Sequence, residues 1–553
     1  MKALICALNT KYVHSSLAPW CLMAGVREYG KGAQCEIYES TINENEEKIL
    51  SELLEKEFDL IGFSTYIWNR DMVLSIAEKI KAEKDVIVVL GGPEVSYCVT
   101  DILSEHSYVD LVISGEGEEP FGRLCSGENA ENIPGISYRK NGKITEKPPH
   151  VAENEPPSPY CGEFFDSLVG RISYIETSRG CPFKCAFCLS GSGDGVRFFD
   201  IEKAKRDIIN LANSGTKTVK FVDRTFNADK KRANEIFSFI ISEYGRSIPE
   251  GVCFHFEIEG TLLDSEAIEI LSKAPRGAIQ VEIGLQSFNE DTLKSINRKR
   301  DLSKLCKNIR KIVALGNIHT HIDLIAGLPY EDIDSFEHSF NLALSLEPHM
   351  LQLGFLKLLH GSYLREKFDY VFEFDKNPPY EVISTPHISA EEMASLHRIE
   401  DAFERMYNST RFAKTCKYLH SLYESPFKMY KDLSEYLEKN KSGNSLDSFT
   451  YDIFTYFSSL YFVDRDVLRD KLAYDRLSTN KSGYLPEFLK IHTPVIKEYL
   501  NLLEKDPDTK RRQGIKRAAT VLPTEGMIIY VDYDSPDPIQ KVYNVKKSDI
   551  NFK

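Results

Sequence analysis

Three cysteines lie close together in the sequence, at Cys181, Cys185 and Cys188. Thiolates are the usual ligands of iron–sulfur clusters, and three of them in one loop can bind three corners of a cubane. Three ligands leave the fourth iron open, as a catalytic metal centre requires. A zinc ribbon would need a fourth cysteine or histidine at short spacing, whereas Cys161 and His255 are both distant. Three packed structural cysteines are the remaining alternative.

The surroundings of this triad favour metal ligation in a reducing compartment. Arg179 and Lys184 flank the cysteines, and their positive charge would lower the thiol pKa values and stabilise an anionic cluster. The other cysteines of the 12 are scattered, and burial as small hydrophobes is their simplest role. No segment has the order of a signal peptide, so we expect a cytoplasmic protein.

Composition excludes several classes of protein. The chain has 553 residues, of which 42% are hydrophobic and 27% charged, which rules out collagen, a disordered tail protein and a disulfide miniprotein. Apolar runs such as Val86–Leu90 are too short to span a bilayer, so no membrane partner is expected. A net charge of −14 makes nucleic acid an unlikely partner and favours a small-molecule substrate.

The order of strand-like and helical runs predicts an α/β protein with three domains. Residues 1–145 alternate between the two, as in a doubly wound, Rossmann-like parallel sheet. Residues 146–168 hold five prolines and form a predicted linker. Residues 169–388 contain six further β/α units, which predicts a partial (β/α)6 barrel. Residues 389–553 form a mostly helical extension with a terminal strand.

Two local signals stand out in the C-terminal extension. Ser389 followed by Glu392 predicts a capping box at the start of a helix. Aromatic-rich helical stretches continue to about Tyr499. The basic run Lys510–Arg517 is more often a solvated loop than a binding patch, although a phosphate contact stays open.

Polar residues alternate with apolar ones along three successive strands of the predicted barrel. The polar set includes His255 and four residues that we predict to be catalytic: Glu257, Glu282, His321 and Asp323. If the apolar face packs on the outer helices, the polar face lines the lumen, where burying it empty would be costly. A ligand-filled lumen is the simplest explanation. Strands that are exposed to solvent on one side are the alternative.

The cysteine spacing C-x-x-x-C-x-x-C, with the aromatic Phe187 before the last cysteine, resembles the signature of the radical S-adenosylmethionine (radical SAM) superfamily. The resemblance implies that Cys181, Cys185 and Cys188 bind a 4Fe–4S cluster. S-adenosylmethionine would chelate the open iron, and its reductive cleavage would give a 5′-deoxyadenosyl radical. Phe187 would pack near the adenine. An external one-electron reductant of the flavodoxin or ferredoxin type is implied as a partner.

Further segments resemble the S-adenosylmethionine contacts of this superfamily. They fall in order at strand ends, where barrel active sites form. Asp223 and Arg224 stand where the superfamily holds the amino group of S-adenosylmethionine. Gln286 and Ser287 match a contact segment at the end of the fourth strand, and Gly327 lies in a segment like the one beside the adenine.

The N-terminal domain resembles the cobalamin-binding domain that precedes many radical SAM barrels. The segments that carry the resemblance contain Ser64, Gly92 and Gly115, each placed after a predicted strand. The loop after the first strand lacks the D-x-H-x-x-G pattern that supplies an axial histidine in other cobalamin proteins. The sequence therefore leaves open whether cobalamin is a third cofactor. We expect His14 to form a hydrogen bond within the loop and not to bind cobalt.

Three functions compete for this combination of domains. The first is a radical lyase on a small polar substrate, a queuine-type modified nucleobase, since carboxylates and imidazoles can recognise the edge of a base. The second is a cobalamin-dependent radical SAM methyltransferase. The third is a non-catalytic scaffold with a vestigial cluster, which the intact cysteine triad argues against. Substrate, general base and oligomeric state cannot be read from the sequence.

Overall fold

A computed structural model describes residues 1–191, 193, 195–440, 443–491, 494 and 517–549. The chain divides into two compact units. The first consists of Met1–Glu282, Leu293–Asp301 and Phe355–Thr385, and the second of Ile283–Thr292, Leu302–Gly354 and Pro386–Lys553. The basic residues 510–516 and the predicted helical residues 495–499 lie outside the described part of the chain.

The first unit begins with a seven-stranded sheet in the order β2-β1-β3-β4-β5-β6-β7. Its strands are β1 Lys2–Asn9, β2 Gln34–Thr41, β3 Leu60–Ser64, β4 Ile87–Gly91, β5 Leu111–Ile113, β6 Ile136–Lys140 and β7 Lys143–Thr145. Its helices are α1 Leu17–Tyr29, α2 Glu46–Leu54, α3 Arg70–Glu83, α4 Pro93–Ser96, α5 Val99–Glu105 and α6 Glu118–Cys125. Strands β1 to β5 pair in parallel, while β6 and β7 are antiparallel additions at one edge.

Alternate residues of β1 pack into separate hydrophobic cores. Leu4 and Leu8 belong to one core, and Ala3 and Ile5 to the other. A strand that is buried on both faces reads as a continuous apolar run, which is the pattern of a parallel sheet covered by helices on each side. The predicted doubly wound N-terminal sheet is confirmed.

The chain then enters the second α/β region. Its elements up to residue 355 are α7 Gly162–Asp166, β8 Ile172–Ile175, β9 Ser178–Gly180, β10 Val196–Phe198, α8 Ile201–Ala212, β11 Thr218–Phe221, α9 Lys230–Glu243, β12 Cys253–Glu257, α10 Ser265–Ser272, β13 Ile279–Gln286, α11 Glu290–Ser295, α12 Leu302–Leu315, β14 His319–Ala326, α13 Ile333–Leu344 and β15 Met350–Phe355. In the first unit β8, β11, β12 and β13 are parallel neighbours in that order. The second unit continues with β14 and β15. The predicted partial (β/α)6 fold is confirmed.

The edge strand β8 is covered by the loop that follows β1. The Ile172 amide donates to the Val13 carbonyl at 2.7 Å, and the Ser15 amide donates to the Ile172 carbonyl at 3.3 Å. The Arg171 guanidinium forms an ion pair with Glu39 of β2 at 2.7 Å. Because an uncovered edge strand exposes unpaired backbone groups, this docking pairs the edge of β8 at Ile172.

The last part of the chain is mostly helical, as predicted. The remaining elements are α14 Tyr363–Glu366, β16 Glu373–Phe374, β17 Val382–Ser384, α15 Ala390–Phe403, α16 Ala413–His420, α17 Pro426–Asn440, α18 Leu446–Ser458, α19 Arg465–Thr479, β18 Arg517–Leu522, β19 Met527–Asp532 and β20 Asn544–Asp549. Ser389 and Glu392 form the predicted capping box. The predicted terminal strand is part of an antiparallel sheet of three strands, β18-β19-β20. Among the described residues, no helix has both the length and the apolarity needed to cross a membrane.

Candidate functional site

The three cysteines lie in a loop closed by a short hairpin. Strand β9 ends directly before Cys181 and pairs with β10 after the loop. Gly180, at the neck of this loop, has a φ of +93°, and a Cβ atom there would stand 2.2 Å from the Gly195 carbonyl oxygen. A glycine is therefore needed where the two strands meet. The Cys181 Sγ lies 3.4 Å from the Thr225 hydroxyl, at the end of β11.

The middle of the cysteine loop is held by backbone hydrogen bonds on both sides. The Ala186 amide donates to the Ile296 carbonyl at 3.0 Å, and the Leu364 amide donates to the Ala186 carbonyl at 3.0 Å. Within the loop, the Cys188 amide donates to the Cys185 carbonyl at 3.1 Å. All three cysteines are half-buried. The loop thus keeps its three thiols together without a disulfide.

The positive charge beside the cysteines comes from Arg298 and Arg300. Burial raises the pKa of the Cys185 thiol, while these two guanidinium groups act in the opposite direction. Arg300 forms an ion pair with the buried Glu259 at 2.9 Å, and the Arg298 guanidinium lies 6.0 Å from the centre of the Phe187 ring. The sequence carries no local signal for this pair, because both arginines follow the cysteines by more than a hundred residues.

Arg179, which the sequence suggested as a charge beside the cluster, is instead enclosed by carboxylates. Its guanidinium donates to Glu176 at 2.9 Å and to Glu116 at 2.8 Å, and it also bonds Glu118. Arg197, its partner in the β9–β10 register, donates to both oxygens of Glu116 at 2.7 Å. Two arginines of the hairpin thus clamp the loop that follows β5.

Asp223 lies at the end of β11 and is almost fully buried. Its carboxylate accepts hydrogen bonds from the Thr177 amide at 3.0 Å, the Thr177 hydroxyl at 2.7 Å and the Ser178 hydroxyl at 2.5 Å. Burial raises the pKa of the Asp223 carboxyl, and these hydrogen bonds act against that rise. Both oxygens therefore fix the segment that leads into Cys181, while the neighbouring Arg224 is exposed.

A cavity of about 510 Å³ lies at the carboxyl ends of the N-terminal strands. All three residues proposed for cobalamin line it: Ser64, Gly92 and Gly115. Gly92 has a φ of +112°, and a Cβ atom there would stand 2.4 Å from the Thr65 carbonyl oxygen. The lining also contains Arg179 and Arg224. Open α/β sheets bind ligands at this edge, and both α/β regions of the first unit contribute to the cavity.

The loop after β1 supplies no free imidazole to this cavity. The His14 Nδ1 lies 2.7 Å from the Tyr174 hydroxyl of β8. Burial, with the nearby Lys11 and Lys220, lowers the pKa of His14. The expected loop hydrogen bond is therefore present.

Two of the predicted catalytic residues, Glu257 and Glu282, share one face of the sheet with Lys220 and His255. Lys220, His255, Glu257 and Glu282 occupy β11, β12 and β13, with Lys220 opposite His255 and Glu257 opposite Glu282. The His255 Nε2 lies 2.9 Å from a Glu282 oxygen, and the Lys220 ammonium lies 3.6 Å from the same carboxylate. These side chains are buried or half-buried, which does not fit a solvent-exposed face. The Lys220 ammonium and the His255 imidazole therefore face the two carboxylates across three strands.

The second unit holds the other two predicted catalytic residues. His321 and Asp323 are on β14, and the His321 Nε2 lies 3.0 Å from an Asp323 oxygen. His321 is buried and Asp323 is half-buried. The apolar residue between them, Ile322, is fully buried, as the alternating pattern predicts.

The remaining predicted cofactor residues lie at the ends of β13 and β14. The buried Ser287 donates to a Glu331 oxygen at 2.5 Å, and Ser339 donates to the same oxygen at 3.2 Å. Burial raises the pKa of Glu331 to about 7. Gln286 is buried with a φ of +75°, and Gly327 has a φ of +82°. Glu331 was not identified from the sequence, since an acidic residue in a loop gives no sign of its burial.

Comparison with known families identifies two of the regions. Residues 175–343 match the radical SAM superfamily, and residues 4–125 match the B12 binding domain. The chain contains a radical SAM domain. Its B12-binding domain precedes the radical SAM domain, as the sequence predicts. Residues 366–525 match a family described as a protein of unknown function, DUF4080.

Two curated relatives are methyltransferases. The chain is 28% identical to 2-(S-pantetheinyl)-carbapenam-3-carboxylate methyltransferase of Streptantibioticus cattleyicolor, over 53% of this chain and 45% of the relative. It is 27% identical to the cobalamin-dependent radical SAM methyltransferase TokK of Streptomyces tokunonensis, over 54% of this chain and 47% of the relative. The radical SAM protein therefore spans less than half the length of these relatives.

Solved structures share the fold at lower identity. The cobalamin-dependent S-adenosylmethionine radical enzyme OxsB, bound to aqua-cobalamin and S-adenosylmethionine, superposes with a TM-score of 0.59 and 16% identity, over 92% of this chain and 81% of that chain. The radical S-adenosylmethionine methyltransferase TsrM from Kitasatospora setae superposes with a TM-score of 0.54 and 16% identity, over 66% of this chain and 75% of that chain. Both likenesses support the predicted fold class.

These matches confirm the predicted cofactor set of a radical SAM protein. A 4Fe–4S cluster and S-adenosylmethionine accompany the radical SAM domain, and the B12-binding domain supports cobalamin as the third cofactor. The relatives named above favour the methyltransferase hypothesis over the lyase hypothesis. Which residue contacts which cofactor stays a prediction.

Proposed function

We propose that this radical SAM protein is a cobalamin-dependent methyltransferase that acts on a small polar molecule. The observation that carries the proposal is the cavity of about 510 Å³, because Gly92 and Gly115 of the B12-binding domain and Arg179 and Arg224 of the radical SAM domain line the same space. A ligand held by one domain in this cavity is in direct contact with the other.

Cys181, Cys185 and Cys188 would hold the cluster. When bound, the cluster and S-adenosylmethionine supply one-electron reduction and radical formation, and cobalamin supplies methyl transfer. The residues of this chain bind and orient these groups. Arg298 and Arg300 offset the negative charge of thiolates, and Asp223 fixes the segment before Cys181 through Thr177 and Ser178.

Ser64, Gly92 and Gly115 would hold cobalamin. The backbone at Gly92 comes too close to Thr65 to admit a side chain, so the surface there is flat, as a large planar ligand requires. Ser64 provides a hydroxyl at the end of β3. His14 is bonded to Tyr174 and is therefore not proposed as a cobalt ligand.

A small polar substrate fits the polar set on β11, β12 and β13, which consists of Lys220, His255, Glu257 and Glu282. Such a set can donate to and accept from several polar groups of one molecule, and the contacts within it hold the side chains in place until a substrate enters. His321 and Asp323 are proposed for the same purpose in the second unit. An external one-electron reductant of the flavodoxin or ferredoxin type completes the set of partners.

The test measures two products of S-adenosylmethionine. The anaerobically reconstituted chain is incubated with S-adenosylmethionine, a low-potential reductant and a panel of small polar substrates, with and without hydroxocobalamin. The proposal predicts that S-adenosylhomocysteine and 5′-deoxyadenosine are formed together when cobalamin is present. Without cobalamin the pair of products should not form. A queuine-type lyase would give 5′-deoxyadenosine without S-adenosylhomocysteine, and that outcome would overturn the proposal. Cys188→Ala should abolish both products, whereas Cys35→Ala, on β2, should not.

A further inference from the structure

A second cavity, of about 830 Å³, lies in the second unit. The proposed function makes no use of it. It is formed by the end of α13 and the loop before β15, by α16 and its flanking segments, by α19 and by the segment between β19 and β20. The residues that the argument uses are Tyr407, Lys414, His420, Tyr423, Tyr474 and Asp475. The volume lies within the range of small-molecule sites, roughly 300 to 1,000 Å³.

His420 presents a hydrogen-bond acceptor in this cavity. Its Nε2 lies 2.8 Å from the Tyr430 hydroxyl. The Tyr430 hydroxyl donates to the Cys416 sulfur at 3.8 Å, and the Cys416 thiol donates to the Met406 carbonyl at 3.8 Å. With the Tyr430 proton directed at the Cys416 sulfur, the Tyr430 oxygen accepts from His420 in the tautomer that carries its proton on Nε2. Its Nδ1 then carries a lone pair, and no hydrogen bond joins Nδ1 to any described residue.

Asp475 is a buried carboxylate in the same wall, with 2% of its surface exposed. It accepts hydrogen bonds from the amides of Lys414 and Thr415 at 3.0 and 2.8 Å and from the Thr415 hydroxyl at 2.8 Å. These bonds anchor it at the start of α16. No ion pair joins Asp475 to any described residue, and the positive charge of Lys414 acts on it without forming one. Burying a charge in this way is costly without a partner of opposite sign.

Aromatic rings form the sides of the cavity. Tyr407 donates its hydroxyl proton to the Pro348 carbonyl at 2.6 Å, which leaves its oxygen as an acceptor. Tyr423 adds a further ring, whereas the Tyr474 ring already has the ammonium groups of Lys414 and Lys547 at 5.6 and 5.7 Å from its centre. Tyrosine faces attract cations, so rings and buried carboxylate favour the same kind of ligand. The Asp475 carboxylate, the Tyr407 oxygen and the Nδ1 of His420 are acceptors, so a ligand that pairs with them must donate hydrogen bonds.

We propose that this cavity binds an organic amine, with its ammonium group between Asp475 and the Nδ1 of His420 and its carbon body against the tyrosine rings. The assignment does not depend on the proposed methyltransferase activity. It gives the region matched by the DUF4080 family a binding site that is separate from the one described above. The ammonium supplies an ion-pair partner for Asp475, and its N–H groups satisfy both acceptors.

The test compares amines with neutral molecules of the same shape. Equilibrium dialysis of the full chain at pH 8 measures tyramine against tyrosol, and tryptamine against tryptophol, in which a hydroxyl replaces the ammonium group. The proposal predicts that at least one amine binds at least tenfold more tightly than its alcohol. Absence of binding by both amines, or equal binding of each amine and its alcohol, would overturn it.

A charge-removing variant locates the site. Asp475→Asn keeps an oxygen that can accept from the start of α16 but removes the charge, so the tenfold preference for the amine should disappear. Asp470→Asn is the matched control, because Asp470 is also buried on α19 but bonds Thr524 and Arg469 outside the cavity. An unchanged preference in folded Asp475→Asn protein would contradict the assignment.

The pH dependence keeps the proposal testable if Asp475→Asn does not fold. Burial raises the pKa of Asp475 to about 7, whereas burial lowers the pKa of His420 to about 4. The other groups near the carboxyl are Lys414, Cys416 and Tyr474, and the pKa values of the last two are raised. Affinity of the unaltered chain for tyramine should therefore rise severalfold from pH 6 to pH 8. A flat or falling profile would overturn the proposal.

Discussion

Asp223 illustrates how a residue suggested by resemblance acquires a different physical role. The superfamily pattern connects this position with the amino group of S-adenosylmethionine. In the structure the carboxylate accepts two hydrogen bonds from Thr177 and one from Ser178, which lie four and three residues before Cys181. We therefore expect Asp223 to act as a positioning residue for the cysteine loop.

Substitution of Asp223 tests this role. An asparagine would direct an amide group at one of the Thr177 donors, so Asp223→Asn should lower the free energy of unfolding by about 2 kcal/mol. The amount of iron that the variant binds after anaerobic reconstitution should also be lower than in the unaltered chain. Chemical unfolding and an iron assay measure the two effects. The exposed Asp166 is the control, and equal iron content in Asp166→Asn and Asp223→Asn proteins would contradict the positioning role.

Glu331 gives a prediction about pH. Burial raises its pKa to about 7 from the ordinary value of 4.5, so the protonated form is the one favoured by folding. Its contribution to stability is fully present below pH 4.5 and is lost as the pH rises through 7. From pH 5 to pH 8 the free energy of unfolding of the unaltered chain should fall by about 3 kcal/mol more than that of Glu331→Gln.

Urea unfolding at several pH values measures this difference. The exposed Glu391, in the first turn of α15, is the control, and Glu391→Gln should keep the pH slope of the unaltered chain. Parallel pH profiles for the unaltered chain and Glu331→Gln would contradict the assigned burial effect.

Single residues were predictable from the sequence where their signal is local. The cysteine triad is a motif of eight residues, and Ser389 with Glu392 is a motif of four. Arg298 and Arg300 carry no such signal, because their position beside Cys185 depends on the fold of the whole first unit. The same holds for Glu116, which meets Arg179 and Arg197 only after the strands have assembled.

At the scale of elements, the β9–β10 hairpin connects the cysteine loop with the B12-binding domain. Arg179 and Arg197 face each other in the hairpin register and share Glu116. Glu116 and Arg179 also line the cavity of about 510 Å³. A change in this clamp should therefore affect both stability and cobalamin binding.

Glu116→Gln tests the clamp. Removing the carboxylate charge leaves two half-buried guanidinium groups with fewer partners, so the free energy of unfolding should fall by about 2 kcal/mol. Hydroxocobalamin affinity, measured by dialysis and absorbance, should fall about tenfold. Glu128→Gln is the matched control, because Glu128 pairs with Arg123 in the same domain at 2.6 Å. Similar cobalamin affinity in both variants would speak against the clamp.

Element positions followed well from hydrophobic patterns where elements are long. The alternation of strands and helices predicted for residues 1–145 is observed, with helices such as the 13-residue α1. Strands β9 and β10 were not anticipated. Each has only three residues and holds an exposed or half-buried arginine, so neither produces an apolar alternation that could be recognised.

For the whole molecule, the order of sheet, barrel and helical extension was predictable, because continuous apolar strands and alternating helices repeat over long stretches. The cavity shared by the B12-binding and radical SAM domains was not, since it depends on how loops from distant parts of the first unit meet. Function was predictable to the level of cofactor chemistry. The proposal of methyl transfer in place of fragmentation rests on the comparison with relatives.

The central claim is that the cysteine triad binds the iron–sulfur cluster of this radical SAM protein. Its most direct test is the amount of iron and acid-labile sulfide per chain after anaerobic preparation, compared between the unaltered chain and the variant with alanine at residues 181, 185 and 188. The account predicts about four of each in the unaltered chain and almost none in the variant. Iron and sulfide retained by the variant, or absent from the unaltered chain, would contradict it.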